Sequence, residues 1–296
     1  MPLILERQEQ DNCTLEECID ALAVLRPHIR DPESVTETAL WLRRLTNNRT
    51  FLSDFLIERM RHDGPRRETA YSPQSMVLSA QRGGVFLRAN IWPAVHDECY
   101  RTSGPEAFVY GVPHDHNFSF LTSGYLGPGY LSDYYEYDYE DVLGYPGEKV
   151  PLRFVERSAL SQGKILLYRA HRDVHSQIPP ERLSVSLNAI FVDPSQSWFD
   201  QYGFDLEGGK ITRIMNANAH ESFLRIAVAS GSPDALDYAE QVGRTHPSDR
   251  LRLASFEARA ALSGDAASID AIWREGELSG SRLVAAVARQ RRTAND

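Results

Sequence analysis

The stretch "YGVPHDHNFSFLTSGYLGPGYLSDYYEYDY", Tyr110 to Tyr139, sets two histidines one residue apart ahead of a run of aromatic side chains. Alternate residues of a strand point to the same side, so an H-x-H pair on a strand aims both imidazoles at one point. If Gly111 to Thr122 is extended, His114, His116, Phe118, Phe120 and Thr122 share one face, and Asp115, Asn117, Ser119 and Leu121 take the other. The first face then reads as two imidazoles at the mouth of an aromatic pocket, a geometry that suits a metal. The turn "GYLGPGY" is predicted to return the chain as a neighbouring antiparallel strand. On that strand Tyr135, Tyr137 and Tyr139 would alternate with Glu136, Asp138 and Glu140, giving an aromatic face and a solvated acidic one.

Outward from this stretch the period of the pattern changes twice. "TLEECIDALAVLRPHI" opens with Thr14 and, three residues on, Glu17, a capping box ahead of apolar residues at helical spacing. "DPESVTETALWLRRL" and "TFLSDFLIERM" continue as helices up to the breaker "DGPRR", Asp63 to Arg67. From Ser72 to about Pro194 a period of two dominates, with candidate strands "VFLRANIW", "FVYGVPHDHNFSFLT", "YYEYDYE", "LRFVERSAL", "GKILLYRA" and "LSVSLNAIFV". Beyond Ala217, five short segments with Ser, Pro and Asp starts read as stacked helices of a repeat-like kind. The predicted organisation is a helical segment over residues 1–71, a β core over 72–196, a linker over 197–216 and a helical segment over 217–296, α+β overall.

The 296 residues carry 42% hydrophobic side chains, enough to bury a core of that size. A net charge of −9, with no basic run interleaved with aromatics, argues against a nucleic-acid partner and against an anionic membrane surface. Three cysteines, Cys13, Cys18 and Cys99, form no C-x-x-C pair, which excludes a thiolate zinc site of the usual spacing and points to a reducing, cytoplasmic setting. The opening "MPLILERQEQ" lacks the apolar length of a signal peptide or spanning helix.

A second histidine cluster lies in "QGKILLYRAHRDVHSQIPPERLSVSLNAIFVDP", where Gly163 opens an apolar strand, His171 and His175 follow in a polar turn, and Asn188 lies on the next strand. The two segments together resemble the two motifs of the cupin family: a Gly-rich turn after H-x-H, then a Gly, a strand and a third His. The resemblance spans about Val85 to Pro194 and implies a small antiparallel jelly-roll barrel with a metal inside it. Carried over by position, the ligands are His114, His116 and His175. The carboxylate that often completes the first motif would fall near Phe120 or Leu121, neither of which can ligate. A set of three imidazoles resembles that of the thiol dioxygenases, the cysteine-dioxygenase-like branch, in which an Arg on an earlier strand holds the substrate carboxylate. Arg88 in "VFLRANIW" is compatible with that role. Two features depart from that branch. Its Ser-x-His-x-Tyr run reads Ser186, Leu187, Asn188, Ala189, Ile190 here, and no Cys stands beside the first motif.

His171, Asp173 and His175 also alternate, so His171 stands as the alternative third ligand, with Asp173, Ser186 and Asn188 as partners orienting the ligands. Phe118, Phe120 and Tyr137 are candidates to line the substrate site beside Arg88. Imidazole ligands fit iron(II), zinc, nickel or copper, and the apolar surroundings make iron(II) the first choice. The resulting expectation is an iron(II) oxygenase that uses dioxygen on a small carboxylate-bearing or thiol substrate, or on a peptide. A 2-oxoglutarate-dependent hydroxylase and a non-catalytic metal-binding sensor or protein-interaction module remain as alternatives. Cupins commonly pair through strand edges, so the resemblance also allows a homodimer.

Overall fold

A computed structural model describes every residue except 1, 6–8, 63–71, 73, 217 and 294–296. The "DGPRR" breaker and the proposed boundary at 71 lie outside the described residues. The chain divides into two compact units, one made of Met1–Tyr139, Pro151–Asp193 and Gly203–Gly209, the other of Glu140–Val150, Pro194–Tyr202 and Lys210–Asp296.

The first unit opens with strand β1 (Leu3–Ile4) and helices α1 (Leu15–Leu25), α2 (Pro32–Asn47) and α3 (Phe51–His62). The helix starts follow local chemistry. The Thr14 side chain accepts from the Glu17 N–H while the Glu17 carboxylate accepts from the Thr14 N–H, and Asp31 caps α2 with Pro32 in its first turn. Then come β2 (Ser75–Val77), β3 (Val85–Trp92), the short helix α4 (Glu98–Ser103), β4 (Phe120–Leu126), β5 (Leu131–Glu136), β6 (Arg153–Ala159), β7 (Ile165–Tyr168), β8 (Asp173–Ile178), β9 (Ser184–Phe191) and β10 (Tyr202–Asp205). Antiparallel pairing builds a large sheet in the order β1-β7-β4-β9-β3-β2 and a small one in the order β6-β5-β8.

Both faces of the large sheet are buried, and β9, "SVSLNAIF", is buried along its whole length. Val185, Leu187, Ala189 and Phe191 pack with Cys18, Ala39, Leu42 and Leu45 of the helices. The alternate residues Ser184, Ser186, Asn188 and Ile190 turn the other way. There Ile190 joins Trp92, Phe120, Leu166 and Tyr168 of the large sheet and Tyr130, Tyr134 and Leu160 beside the small sheet in a second core. The Trp92 and Tyr130 rings meet with centroids 4.0 Å apart.

Four expectations are corrected. Phe108 to Thr122 is not one strand: a tight turn over Pro105–Phe108 and positive φ at Val109 and Gly111 break it, and regular pairing begins only at Phe120. The "GYLGPGY" turn does not make a hairpin, since β4 pairs with β7 and β9 whereas β5 pairs with β6 and β8. It carries the chain from one sheet to the other, and Gly129 is required there because φ is +83° and a Cβ would run into the Leu160 carbonyl. On β5 the inward residues are Ser132 and Tyr134, not Tyr135, which is half-buried against Phe154 at 5.2 Å. The expected polar turn around His175 is a strand, β8.

The second unit contains β11 (Lys210–Ile214) and helices α5 (Ala219–Ala229), α6 (Pro233–Thr245), α7 (Asp249–Leu262), α8 (Ala266–Glu277) and α9 (Arg282–Thr293). Asn218, Ser248 and Asp265 cap α5, α7 and α8 with side-chain hydrogen bonds. Leu224 and Val228 of α5 pack with Ala239 and Val242 of α6 and Leu251 and Ala258 of α7. Phe256 and Ala260 of α7 pack with Trp273 of α8 and with Leu283, Val284 and Ala288 of α9.

Leu42 is fully buried between α2 and the outer face of the large sheet. Leu42→Ala is expected to cost about 2–5 kcal/mol of stability, read as a lowered urea midpoint with unchanged slope.

Candidate metal centre

The H-x-H segment has no sheet of its own, and three neighbours hold it. The His114 N–H donates to the His175 carbonyl and the His175 N–H to the His114 carbonyl, both at 3.0 Å. The Phe204 N–H donates to Pro113 O at 2.9 Å, and His114 also bridges to Gly203. Between the two histidines Asp115 is fully buried and accepts from the Tyr137 hydroxyl at 2.6 Å. The paired exchange of hydrogen bonds puts the His114 and His175 side chains on one side, as directly opposed residues of an antiparallel pair must be.

His114, His116 and His175 converge with one ring nitrogen each, all within 4.8 Å of one another, and all three are buried. His114 Nδ1 lies 2.7 Å from Val112 O, which makes Nδ1 the protonated nitrogen and leaves Nε2 as the lone-pair donor. That Nε2 lies 3.3 Å from His175 Nε2. Two imidazole nitrogens bound to one metal at about 2.0–2.1 Å stand roughly 3.0–3.4 Å apart when adjacent, so the spacing fits a shared ion. One proton shared between the rings would satisfy that pair alone, but would leave His116, whose Nδ1 is buried with no hydrogen-bond partner. Burial and the neighbouring imidazoles hold His116 and His175 well below the usual histidine range, so both are neutral. Neutral imidazole is the ligating form.

Phe118 and Phe120 stand edge-on to His116 at 5.0 and 4.9 Å, as the alternation predicted. Three tyrosines that the alternation did not single out complete the wall. Tyr168 stacks on Phe120 at 4.5 Å, lies 4.9 Å from the His175 ring and donates its hydroxyl to Tyr134 Oη at 3.1 Å, and Tyr130 packs in the same core. Burial raises the Tyr134 phenol to about 12 and those of Tyr130 and Tyr168 further, so all three remain protonated donors.

Arg88 lies on β3 directly opposite Asn188 of β9, which lies opposite Thr122 of β4. This row faces the same interior as Ile190 and Phe120. Arg88 Nε, Asn188 Nδ2, Thr122 Oγ1 and, from the next row, Asn90 Oδ1 are buried without hydrogen-bond partners. No carboxylate among the described residues pairs with Arg88. Burial pushes it down to about 10, so it remains a cation at neutral pH, close enough to depress His116 further. Arg88 as a whole residue is half-buried.

Other expected site residues are placed differently. His171 is outside the three-histidine group: at φ +60° it sits in a left-handed turn that breaks the alternation, and its ring rests 4.4 Å from Tyr139. Asp173 accepts from the Arg169 N–H, Nε and Nη2 at 2.6–3.0 Å, inside an ion-pair network with Glu136, so its charge is committed there. Ser186 accepts from the Trp92 indole at 2.9 Å, and Asn188 lies beside Arg88. The Tyr137 hydroxyl donates to Asp115, so Tyr137 braces the H-x-H segment.

No family model and no curated protein matches the chain. Solved structures similar to it include a DMSP lyase, a cupin domain and a cupin-like protein. A DMSP lyase from Ruegeria pomeroyi DSS-3 is 12% identical over 60% of this chain and 91% of that chain, with a TM-score of 0.29. A cupin domain from Bordetella pertussis Tohama I is 14% identical over 44% and 99%, with a TM-score of 0.24. A cupin-like protein from Thermotoga maritima MSB8 is 8% identical over 48% and 89%, again with a TM-score of 0.24. Among the described residues no helix is long and apolar enough to cross a membrane.

Single changes His114→Ala, His116→Ala and His175→Ala are each expected to abolish stoichiometric metal binding, whereas His171→Ala retains it. Metal analysis after exhaustive dialysis of the four purified variants checks this.

Proposed function

We propose that the first unit is a metal-dependent cupin oxygenase, with ferrous iron on His114, His116 and His175 and a carboxylate-bearing substrate on Arg88. One observation supports the reading: a half-buried Arg88, its Nε buried without a partner, on the same inner wall as three convergent imidazoles. A structural metal needs no such cation, and an uncompensated buried charge costs several kcal/mol unless something pairs with it. A bidentate carboxylate is the natural partner.

Iron(II) on three neutral ligands supplies open coordination positions and redox chemistry for dioxygen. The chain's own residues do the rest. Arg88 orients the substrate, with Asn188, Thr122 and Asn90 offering unfilled hydrogen-bonding groups around it. Phe118 and Phe120 keep water from the imidazole side, and the Tyr130–Tyr168–Tyr134 set presents fixed phenol donors next to His175. Asn188 and Ile190 stand where the thiol dioxygenases carry a His and a Tyr, which favours a substrate other than free cysteine, such as a larger thiol or a peptide. The 2-oxoglutarate alternative needs a carboxylate ligand, and Asp173 is held by Arg169.

The test is metal analysis of anaerobically purified protein followed by oxygen uptake with small thiols, amino acids and 2-oxoglutarate. Iron with substrate-dependent uptake supports the oxygenase. Stoichiometric zinc without uptake rejects it in favour of a metal-binding interaction module. With an active substrate in hand, Arg88→Ala is expected to lower kcat/KM on the order of 100-fold, equivalent to about 3 kcal/mol for a lost charge-assisted pair, while iron content stays at the wild-type level.

A further inference from the structure

Cys13 and Cys18 belong to the outer core, on the opposite side of the large sheet from the histidines. They flank the start of α1: Cys13 precedes the Thr14 cap, and Cys18 is the fourth residue of the helix. These are the two positions that a hydrophobic staple brings into contact. Independent bonds fix both ends of the pair. Cys13 donates its N–H to Arg44 O at 3.3 Å and accepts at its carbonyl from Asn48 Nδ2 at 3.0 Å, while the Cys18 N–H donates to Thr14 O at 3.1 Å. The two Sγ atoms converge on one acceptor, lying 3.9 and 3.7 Å from the Trp41 carbonyl oxygen of α2.

The two thiols differ in access and in acidity. Cys18 is fully buried, whereas Cys13, 4% exposed, borders a cleft of about 470 Å³ together with Glu17, Trp41 and Arg44. Hydrogen bonding from Cys18 lowers the Cys13 thiol from its ordinary value, and Arg44, itself paired with Glu9 at 3.0 Å, adds to the shift against burial and Glu17. The same bond, together with burial, raises Cys18. The thiol that ionises first is therefore the one on the cleft. That order lets one sulfur attack and the other close. Packing alone asks only for two apolar side chains at a staple, with no such asymmetry.

We propose that Cys13 and Cys18 are a peroxide-reactive dithiol that closes to an intramolecular disulfide. The Cys13 thiolate attacks one oxygen of a hydroperoxide: an S–O bond forms, the O–O bond breaks, and the alcohol or water leaves with the proton that Cys13 released, giving a sulfenic acid. The Cys18 sulfur then displaces the hydroxyl. The S–S bond forms as the S–O bond breaks, and the Cys18 proton departs in the water produced. The two thiols lose two electrons and two protons, and the peroxide gains both. The disulfide withdraws both S–H donors from Trp41 O and ties the segment entering α1 to the first turns of the helix. The sequence hides the pair because four residues separate the cysteines, and it is the capping box that folds them together.

The test uses the reduced full-length Cys99→Ser protein, in which the exposed third cysteine is gone, treated with stoichiometric hydrogen peroxide, then denatured and alkylated. Both remaining cysteines fall in one tryptic peptide. The expected product is that peptide lighter by two hydrogens, with neither cysteine alkylated and both restored by dithiothreitol. Cys18→Ser is expected to stop at the sulfenic acid, trapped on Cys13 by dimedone, and the peptide map of the Cys99→Ser protein decides alone where this variant does not fold. Two alkylated cysteines after a treatment that oxidises Cys99 of the wild type would overturn the proposal. So would sulfinic acid on Cys13 with Cys18 still free.

Discussion

The arrangement depends on one constraint: the large sheet is covered on its outer face by the N-terminal helices. Val185, Leu187, Ala189 and Phe191 of β9, with Leu121 of β4 and Leu87 and Ala89 of β3, bury their side chains against α1 and α2. Hydrophobic stabilisation of these strands thus comes from outside the sheet pair. The inner face is released from that duty, and it can carry Arg88, Asn90, Thr122, Ser186 and Asn188. Without α1 and α2 the same strands would expose an apolar wall to water while enclosing a polar one.

The inner face is graded along the strands. One row, Phe86, Ile190, Phe120 and Tyr168, is apolar and aromatic and abuts the histidines. The next, Arg88, Asn188 and Thr122, is polar and has unfilled hydrogen-bonding atoms. The third holds Asn90 and Ser186, with Ser186 closed off by Trp92. Register alone sets these rows, since paired residues on adjacent strands are side by side. A molecule bridging the first two rows would meet the three histidines at one end and a cation at the other.

Much of this was legible in the sequence, and the parts that were not have a common cause. The capping box at Thr14, the Asp-Pro start of α2 and the limits of β3 are local signals, and the structure follows them. The three histidines could be grouped because motif order carries long-range information. β8 was missed because "DVHSQI" reads as a polar turn if buried strands are assumed to turn their apolar side chains inward. Here Asp173, His175 and Gln177 point in, and Val174 fills the other side. The face of β5 was assigned one residue out because the strand ends at Glu136, and Tyr137, past its end, is buried by its bond to Asp115. His171 failed for the same kind of reason: a left-handed residue resets an alternation, and nothing in "RAHRDVH" marks it.

The three-histidine group contains no carboxylate, and Asp173 is matched by Arg169. On the proposed reading a divalent ion and Arg88 therefore place three formal positive charges in a buried interior whose own ligands compensate none of them. Such an excess is costly in a low-dielectric setting, and the cost falls when anions enter. A carboxylate on Arg88 removes one charge, and an anionic donor at the metal removes another. The substrate that best relieves the interior is one with two anionic groups held apart by the depth of the aromatic row. A chain that had retained an acidic ligand among the histidines would have spent part of that attraction on itself. On that reading, neutral imidazole ligands leave the electrostatic driving force to the substrate.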